Sequence, residues 1–243
     1  MNLSGLQLFS DAVVDGFEAL TAGTIDLWHI IVTSLQVSGL ATLIAVAIGI
    51  PAGYYLGSRR NVRRFGALVI ANAGMGLPPI VAGLFVSMLL SRSGLFGDLG
   101  LLYTRPAIVI VQVVIATPVV VALTASGVSA VPAQLRLQAR SLGAHRFQEV
   151  ALVVREARLS ILSAVAGGFG AVISEVGAVQ MVGGNLAGQT QVMTTAIMQF
   201  TRMGRFGVAL ALSLILLSLI VFVNAVITYE QLRDERYTKA VSL

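Results

Sequence analysis

Five long apolar stretches constrain this chain more than anything else in it: about Leu27 to Gly57, Phe65 to Leu90, Ala107 to Val128, Leu159 to Val182 and Phe206 to Thr228. A bilayer core about 30 Å thick takes roughly 20 apolar residues of α-helix. Each stretch reaches that length, so the sequence predicts an all-α, polytopic transmembrane helical protein of about five spans. Composition agrees: 56% of the 243 residues are hydrophobic, 11% are charged, and the mean hydropathy is +0.89. Such a chain has too little polar surface for a soluble domain of that length.

The net charge of +5 is a matter of topology and not of a nucleic-acid patch, because the arginines stand at the ends of the apolar spans. Arg59, Arg60, Arg63, Arg64, five arginines between Val131 and Ser160, Arg233, Arg236 and Lys239 make twelve on one side. Arg92, Arg105, Arg202 and Arg205 make four on the other. The positive-inside rule puts the twelve in the cytoplasm, with the N-terminus outside and the C-terminus inside a cell (inner) membrane. Trp28 fits an aromatic anchor at the interface.

The expected organisation is an N-terminal segment 1–26, a transmembrane domain 27–230 and a cytoplasmic tail 231–243. No cleavable signal is expected, since the N-terminus lacks a positive n-region. Leu6, Phe9, Val13, Phe17 and Leu20 recur at helical spacing, with Asp11, Asp15 and Glu18 on another face. This is the pattern of a helix lying on the membrane surface or of a docking site for an external partner.

The longest polar run between spans, at about 131–158, keeps helical periodicity. Leu135, Ala139 and Leu142 share one face and Arg136 and Arg140 another, which predicts a short amphipathic helix. Gly143 suits a left-handed C′ position that would end it. A second helix follows, with Phe147, Val150, Ala151 and Val154 on one face and Arg146 placed to pair with Glu149. An ordinary basic loop and a docking element share these features.

Within the spans, Pro78 and Pro79 remove backbone donors and should kink or interrupt the second stretch, as at a cavity lining or at a kink stabilised by neighbouring helices. Ala166, Gly170, Ser174 and Ala178 form a small-residue stripe suited to close helix packing. Glu175 is the ionisable residue well inside a stretch, and its carboxyl is expected to serve either the structure or a polar path through the membrane. Gly183, Gly184 and Asn185 follow as flexible backbone with an amide, where N–H groups could meet an anion or form a plain loop. His29 and His145 are isolated and cysteine is absent, so neither a metal site nor a catalytic constellation is expected.

The segment LQARSLGAHRFQEVALVV resembles the cytoplasmic coupling loop of ABC transporter permeases: Glu-Ala-Ala, three residues, Gly, nine residues, then Ile-x-Leu-Pro. Ala139 and Gly143 match the third and seventh positions, and Arg140, Ser141 and Leu142 fit the common filling. Leu137 stands where Glu is usual, Gln138 at the first Ala, Val153 at the Ile, and Arg155-Glu156 at Leu-Pro. The resemblance makes Leu137, Gln138, Ala139, Arg140, Leu142 and Gly143 the ATPase-coupling residues of a type I importer permease.

It extends over nearly the whole chain after residue 26. Thr33 to Ser38 and Gly49 to Gly53 resemble the family's first core helix. Leu77 to Leu84 and Leu90 to Gly97 resemble the group that moves molybdate, tungstate and sulfate. Ile173-Ser174-Glu175-Val176-Gly177-Ala178 with Val182-Gly183-Gly184-Asn185 is similar to the tungstate branch. The resemblance implies a homodimer of this permease, two cytoplasmic ABC ATPase subunits that bind ATP and Mg, and an extracytoplasmic oxyanion-binding protein. It points to Pro78, Pro79, Glu175, Gly183, Gly184 and Asn185 as candidates for the path or gate. No G-x-x-x-x-G-K-[ST] occurs, so energy must come from a partner. A secondary transporter would be expected to carry several intramembrane acids or histidines, and a membrane enzyme a catalytic constellation; neither pattern is present.

Overall fold

Asp26 starts the first long helix, its Oδ1 accepting the His29 N–H at 2.9 Å, the bond of an N-cap residue. In the computed structural model, which describes Val14 and residues 26–58 and 62–241, that helix is α1, Leu27–Ser58. Then come α2 (Val62–Met75), α3 (Pro79–Leu90), a 3-10 turn (Gly97–Leu99), α4 (Arg105–Ala130), α5 (Ala133–Ser141), α6 (Arg146–Glu156), α7 (Arg158–Ile173), α8 (Gly177–Gly183), α9 (Met193–Arg202) and α10 (Phe206–Val241). No strand occurs among the described residues. The amphipathic pattern of segment 1–26, apart from Val14 and Asp26, lies outside them, as do Arg59 and Arg60. Only backbone is described for Arg63, Arg64, Arg233, Arg236 and Lys239.

Three helices, α1, α4 and Phe206–Gln231 of α10, are each long and apolar enough to cross a membrane. Two more stretches pass only as pairs bent by more than 40° at a short break: Phe65–Met75 with α3, and α7 with α8. Counting each bent pair as one span makes up to five among the described residues. The first break has a clear sequence cause. Pro79 is the first helical residue of α3, where its missing N–H costs nothing, and the residue before a proline is steered away from helical geometry.

The chain forms two compact units. One comprises residues 41–78, 113–172 and 224–243. Its organising contact is a seam of glycines every four residues along α1. A Cβ at Gly49, Gly53 or Gly57 would lie 2.6–2.7 Å from the side chains of Val120, Thr124 and Val128 on α4. Small residues let two backbones approach this closely, which is how helices gain packing energy without a hydrophobic driving force between them. On α7 the packing face is Ser160, Ala164 and Gly168. Ser160 meets Gly127, Ala164 is fully buried with Ala45, Ala116 and Val120, and Gly168 faces Val120. The expected stripe of Ala166, Gly170, Ser174 and Ala178 is therefore not one continuous packing face, although Ala178 does meet a neighbouring helix at Gly83. No heavy atom stands within 4 Å of a Cβ at Gly170, Ser174 is exposed in the break, and Ala178 belongs to α8. The turn between α7 and α8 interrupts the four-residue repeat.

The other unit comprises residues 1–40, 79–112 and 173–223. Here α3 and α8 cross with Gly83 against the Ala178 backbone, where a Cβ would come within 2.6 Å of the Ala178 Cα. Ser34 on α1 accepts the Met193 N–H at 2.7 Å, which fixes the start of α9 against α1.

Candidate functional site

The 131–158 loop is a helix-turn-helix. α5 ends through backbone bonds from Leu142 to Gln138 and from Ala144 to Ala139, and Gly143 takes φ +84°, as glycine does at a left-handed C′ position. α6 starts at His145, whose N–H is accepted by the Gln148 side chain at 2.8 Å. Val153 and Ala157 bury against Val128 with Tyr54, Val131 and Ile161 around them. Arg136 ties the loop to the spans, donating to the Val128 carbonyl at 3.0 Å and the Ser58 carbonyl at 3.4 Å. Both carbonyls lie in the last turns of α4 and α1, where backbone acceptors lack helical partners.

One expectation for this loop, the partner of Glu149, is corrected. Glu149 pairs not with Arg146 on its own helix but with Arg140 across the turn, through Nε–Oε2 at 2.8 Å and Nη2–Oε1 at 3.0 Å. The planar guanidinium can grip both carboxylate oxygens at once, which a single i, i+3 contact does not offer. Leu142, expected to share a face with Leu135 and Ala139, is 88% exposed because it falls at the turn where the chain leaves the helix, whereas those two are half-buried. Val153 of α6 and Ala157 just beyond its end are buried, whereas Phe147 is 89% exposed and Val150 is exposed as well. Leu137, Leu142, Phe147 and Val150 thus leave large apolar surface uncovered on one short element. Gln138 is also exposed, while Ala139 is half-buried.

The charge pair carries a clear electrostatic signature. The hydrogen bond from Arg140 is the largest influence on the Glu149 carboxyl and holds it below the ordinary range; burial opposes it, and the charges of Arg140, Arg136 and Arg146 add to the lowering. The hydrogen bond and charge of Glu149 raise Arg140 in turn.

The candidates for the path or gate are placed as follows. Pro79 opens α3, and Pro78 precedes it, exposed. Glu175 lies in the break between α7 and α8, half-buried, and its Oε1 accepts the Ala178 N–H at 2.9 Å. Its backbone carbonyl accepts from Thr194 Oγ1 at 2.8 Å. The side chain of Ile80 lies against Gly177, so the beginnings of α3 and α8 are brought side by side. Gly183 and Gly184 are demanded by close neighbours: a Cβ at either would come within 2.8 Å of Ile108 or of the Tyr103 ring, and Gly184 has φ +70°. The N–H groups of Gly184 and Leu186 are bonded to the Gln180 carbonyl and Thr190 Oγ1. These N–H groups close the turn, and an anion would have to displace those bonds to use them. Asn185, at φ +52°, donates to Gln199 Oε1, which also accepts from Gln191.

A family model described as a binding-protein-dependent transport system inner membrane component matches residues 49–232. The chain belongs to this family. It is a multi-pass membrane protein and a transport subunit. Among its relatives is a probable anion ABC transporter permease protein of Haloferax volcanii, 39% identical over 82% of this chain and 88% of the relative. The tungstate uptake system permease protein TupB of Peptoclostridium acidaminophilum is 36% identical over 88% of this chain and 96% of the relative. A crystal structure of an amino acid ABC transporter with histidines shares the fold at a TM-score of 0.60, with 15% identity, covering 96% of this chain and 99% of that one.

Some structural residues of this permease gave little sequence signal. Arg105, legible only as a flanking charge, donates Nε to the Gln189 carbonyl at 2.7 Å and Nη1 to Gln36 at 3.4 Å, with Nη2 2.9 Å from His29 Nε2. Those contacts join positions up to 84 residues apart, and no local pattern encodes them.

Proposed function

We propose that this chain is the transmembrane permease subunit of an ATP-driven ABC importer for a tetrahedral oxyanion, and that the oxyanion is tungstate. The observation that carries the substrate is the 36% identity over nearly the whole length to a permease named for tungstate uptake. Molybdate or sulfate, moved by permeases of the same family, is the alternative. The exposed apolar side chains of Leu137, Leu142, Phe147 and Val150 support the coupling role, since large apolar groups left uncovered together on one short element mark a protein interface. In this reading two copies of the permease form the pathway, two cytoplasmic ABC ATPases bind ATP and Mg, and an extracytoplasmic protein delivers the oxyanion. The five-span topology has the N-terminus outside and the C-terminus and the 131–158 loop in the cytoplasm.

Nucleotide-driven closure of the ATPases would move the α5–α6 element as one piece, because the Arg140–Glu149 pair spans its turn and Arg136 fastens it to the ends of α1 and α4. A dianion is expensive to strip of water, and Glu175 would repel it. Glu175 is instead engaged with the α8 backbone, which supports a structural part for it beside a path of transient polar contacts.

The test is uptake of radiolabelled or mass-detected tungstate, molybdate and sulfate by the complex reconstituted with one fixed binding protein, with and without its ATPase. Saturable, ATP-dependent tungstate uptake is expected. Uptake of an unrelated solute such as an amino acid in preference to all three, or flux without the ATPase, rejects the reading.

A further inference from the structure

Beside the α5–α6 element lies a cavity of about 1040 Å³ whose walls include Tyr54, Ser58, Arg136, Arg140, Arg146 and Glu149, together with Leu137 and Val150 of the exposed apolar set. Three arginines face it against one carboxylate, and that carboxylate is already held by Arg140. Arg136 is fixed by the carbonyls of Ser58 and Val128, so its guanidinium stays in the wall with no carboxylate bonded to it. Arg146 is exposed. Two wall atoms, Ser58 Oγ and Arg136 Nε, are buried polar groups with no hydrogen-bond partner in the structure, a state that costs free energy unless another group completes it. The cavity therefore combines excess positive charge, one arginine, Arg136, pre-oriented by backbone carbonyls, and polar atoms awaiting a partner. Its walls also include the last turn of α1; in the five-span topology proposed above, that is where an apolar helix leaves the hydrocarbon, the level at which phospholipid phosphates lie.

We propose that this cavity binds a phosphate-like oxyanion group between Arg136, Arg140 and Arg146, supplied by an anionic lipid headgroup or by an ion free in solution. Arginine matches such groups through paired N–H donors. An occupant there would brace the coupling element against the helix ends, so its presence would tune how the loop transmits movement. None of the candidates for the path or gate lines this cavity, so the proposal does not depend on which solute the permease carries.

The experiment uses the full-length permease in two arms. In detergent, calorimetry measures binding of inorganic phosphate and, separately, of tungstate. In nanodiscs of phosphatidylcholine with or without phosphatidylglycerol, native mass spectrometry counts retained lipid after release. Saturable binding in at least one arm is expected, with affinity or retention falling about tenfold in Arg146→Gln, further in Arg146→Glu, and mostly restored in Arg146→Lys. Arg146 is exposed and holds no helix end, so these variants are expected to fold, and gel filtration confirms it. Binding in the detergent arm alone assigns a soluble ion, and selective retention of phosphatidylglycerol alone assigns a lipid. Absence of binding in both arms, or binding unchanged in Arg146→Glu, overturns the proposal.

Discussion

Arg140 holds Glu149 across the turn between α5 and α6 by two bonds, Nε to Oε2 at 2.8 Å and Nη2 to Oε1 at 3.0 Å. The pair closes a helix-turn-helix whose outer side carries Leu142 and Phe147 into solvent. Since the folded carboxyl titrates below its ordinary range, the stabilisation is fully present above the usual glutamate pKa and is lost as pH falls through the lowered value. Arg140 stays charged across that window. We expect Arg140→Ala to raise the Glu149 titration midpoint toward the ordinary carboxylate value, read by carbon NMR of labelled glutamate. An unchanged midpoint would show that Arg140 is not what lowers it.

Gly143 is strained for any other residue by its φ of +84°, although no heavy atom lies within 4 Å of its missing Cβ. The cost of Gly143→Val is thus one of backbone conformation, about 1 kcal/mol or more. Asparagine tolerates this region better. In the assembled complex, Gly143→Val should lower substrate-stimulated ATP hydrolysis and uptake with the permease still inserted, and Gly143→Asn should lower them less. Equal, unimpaired activity in both would remove the loop from the transmission path.

The glycine seam of α1 makes a sharper structural prediction. A Cβ at Gly53 would stand 2.6 Å from Thr124 Cβ and 2.7 Å from the Val121 carbonyl oxygen, so α1 and α4 must separate to admit it. Gly53→Ala should destabilise the fold by about 1–3 kcal/mol. Gly39→Ala, where nothing lies within 4 Å, is the control and should be neutral or slightly stabilising. Thermal unfolding in detergent compares the two; equal midpoints would mean the seam does not hold these helices.

Glu175 accepts the Ala178 N–H at 2.9 Å, a bond that a glutamine oxygen can reproduce. Glu175→Gln should therefore retain most tungstate uptake, while Glu175→Ala loses a helix-start bond worth about 1 kcal/mol and much of the transport. If both variants fail equally, the charge itself is required, and the structural account of this residue is wrong.

Much of this architecture was legible before any coordinates. Helical spans follow from apolar length, because a bilayer leaves the backbone no other partners. The interruption at Pro78 and Pro79 follows from missing donors, and the left-handed turn at Gly143 from the steric cost of a Cβ. Each of these is a local property of a few neighbouring residues. Tertiary structure decided what a residue meets at a distance. It chose Arg140 over Arg146 for Glu149, Ser160, Ala164 and Gly168 over the stripe two residues away for packing, and Val153 over Phe147 for burial. Periodicity in a nearly all-apolar helix cannot rank its faces. The face that packs is selected by the shape of the neighbouring helix, and the ion pair by which guanidinium the turn brings within reach of both carboxylate oxygens.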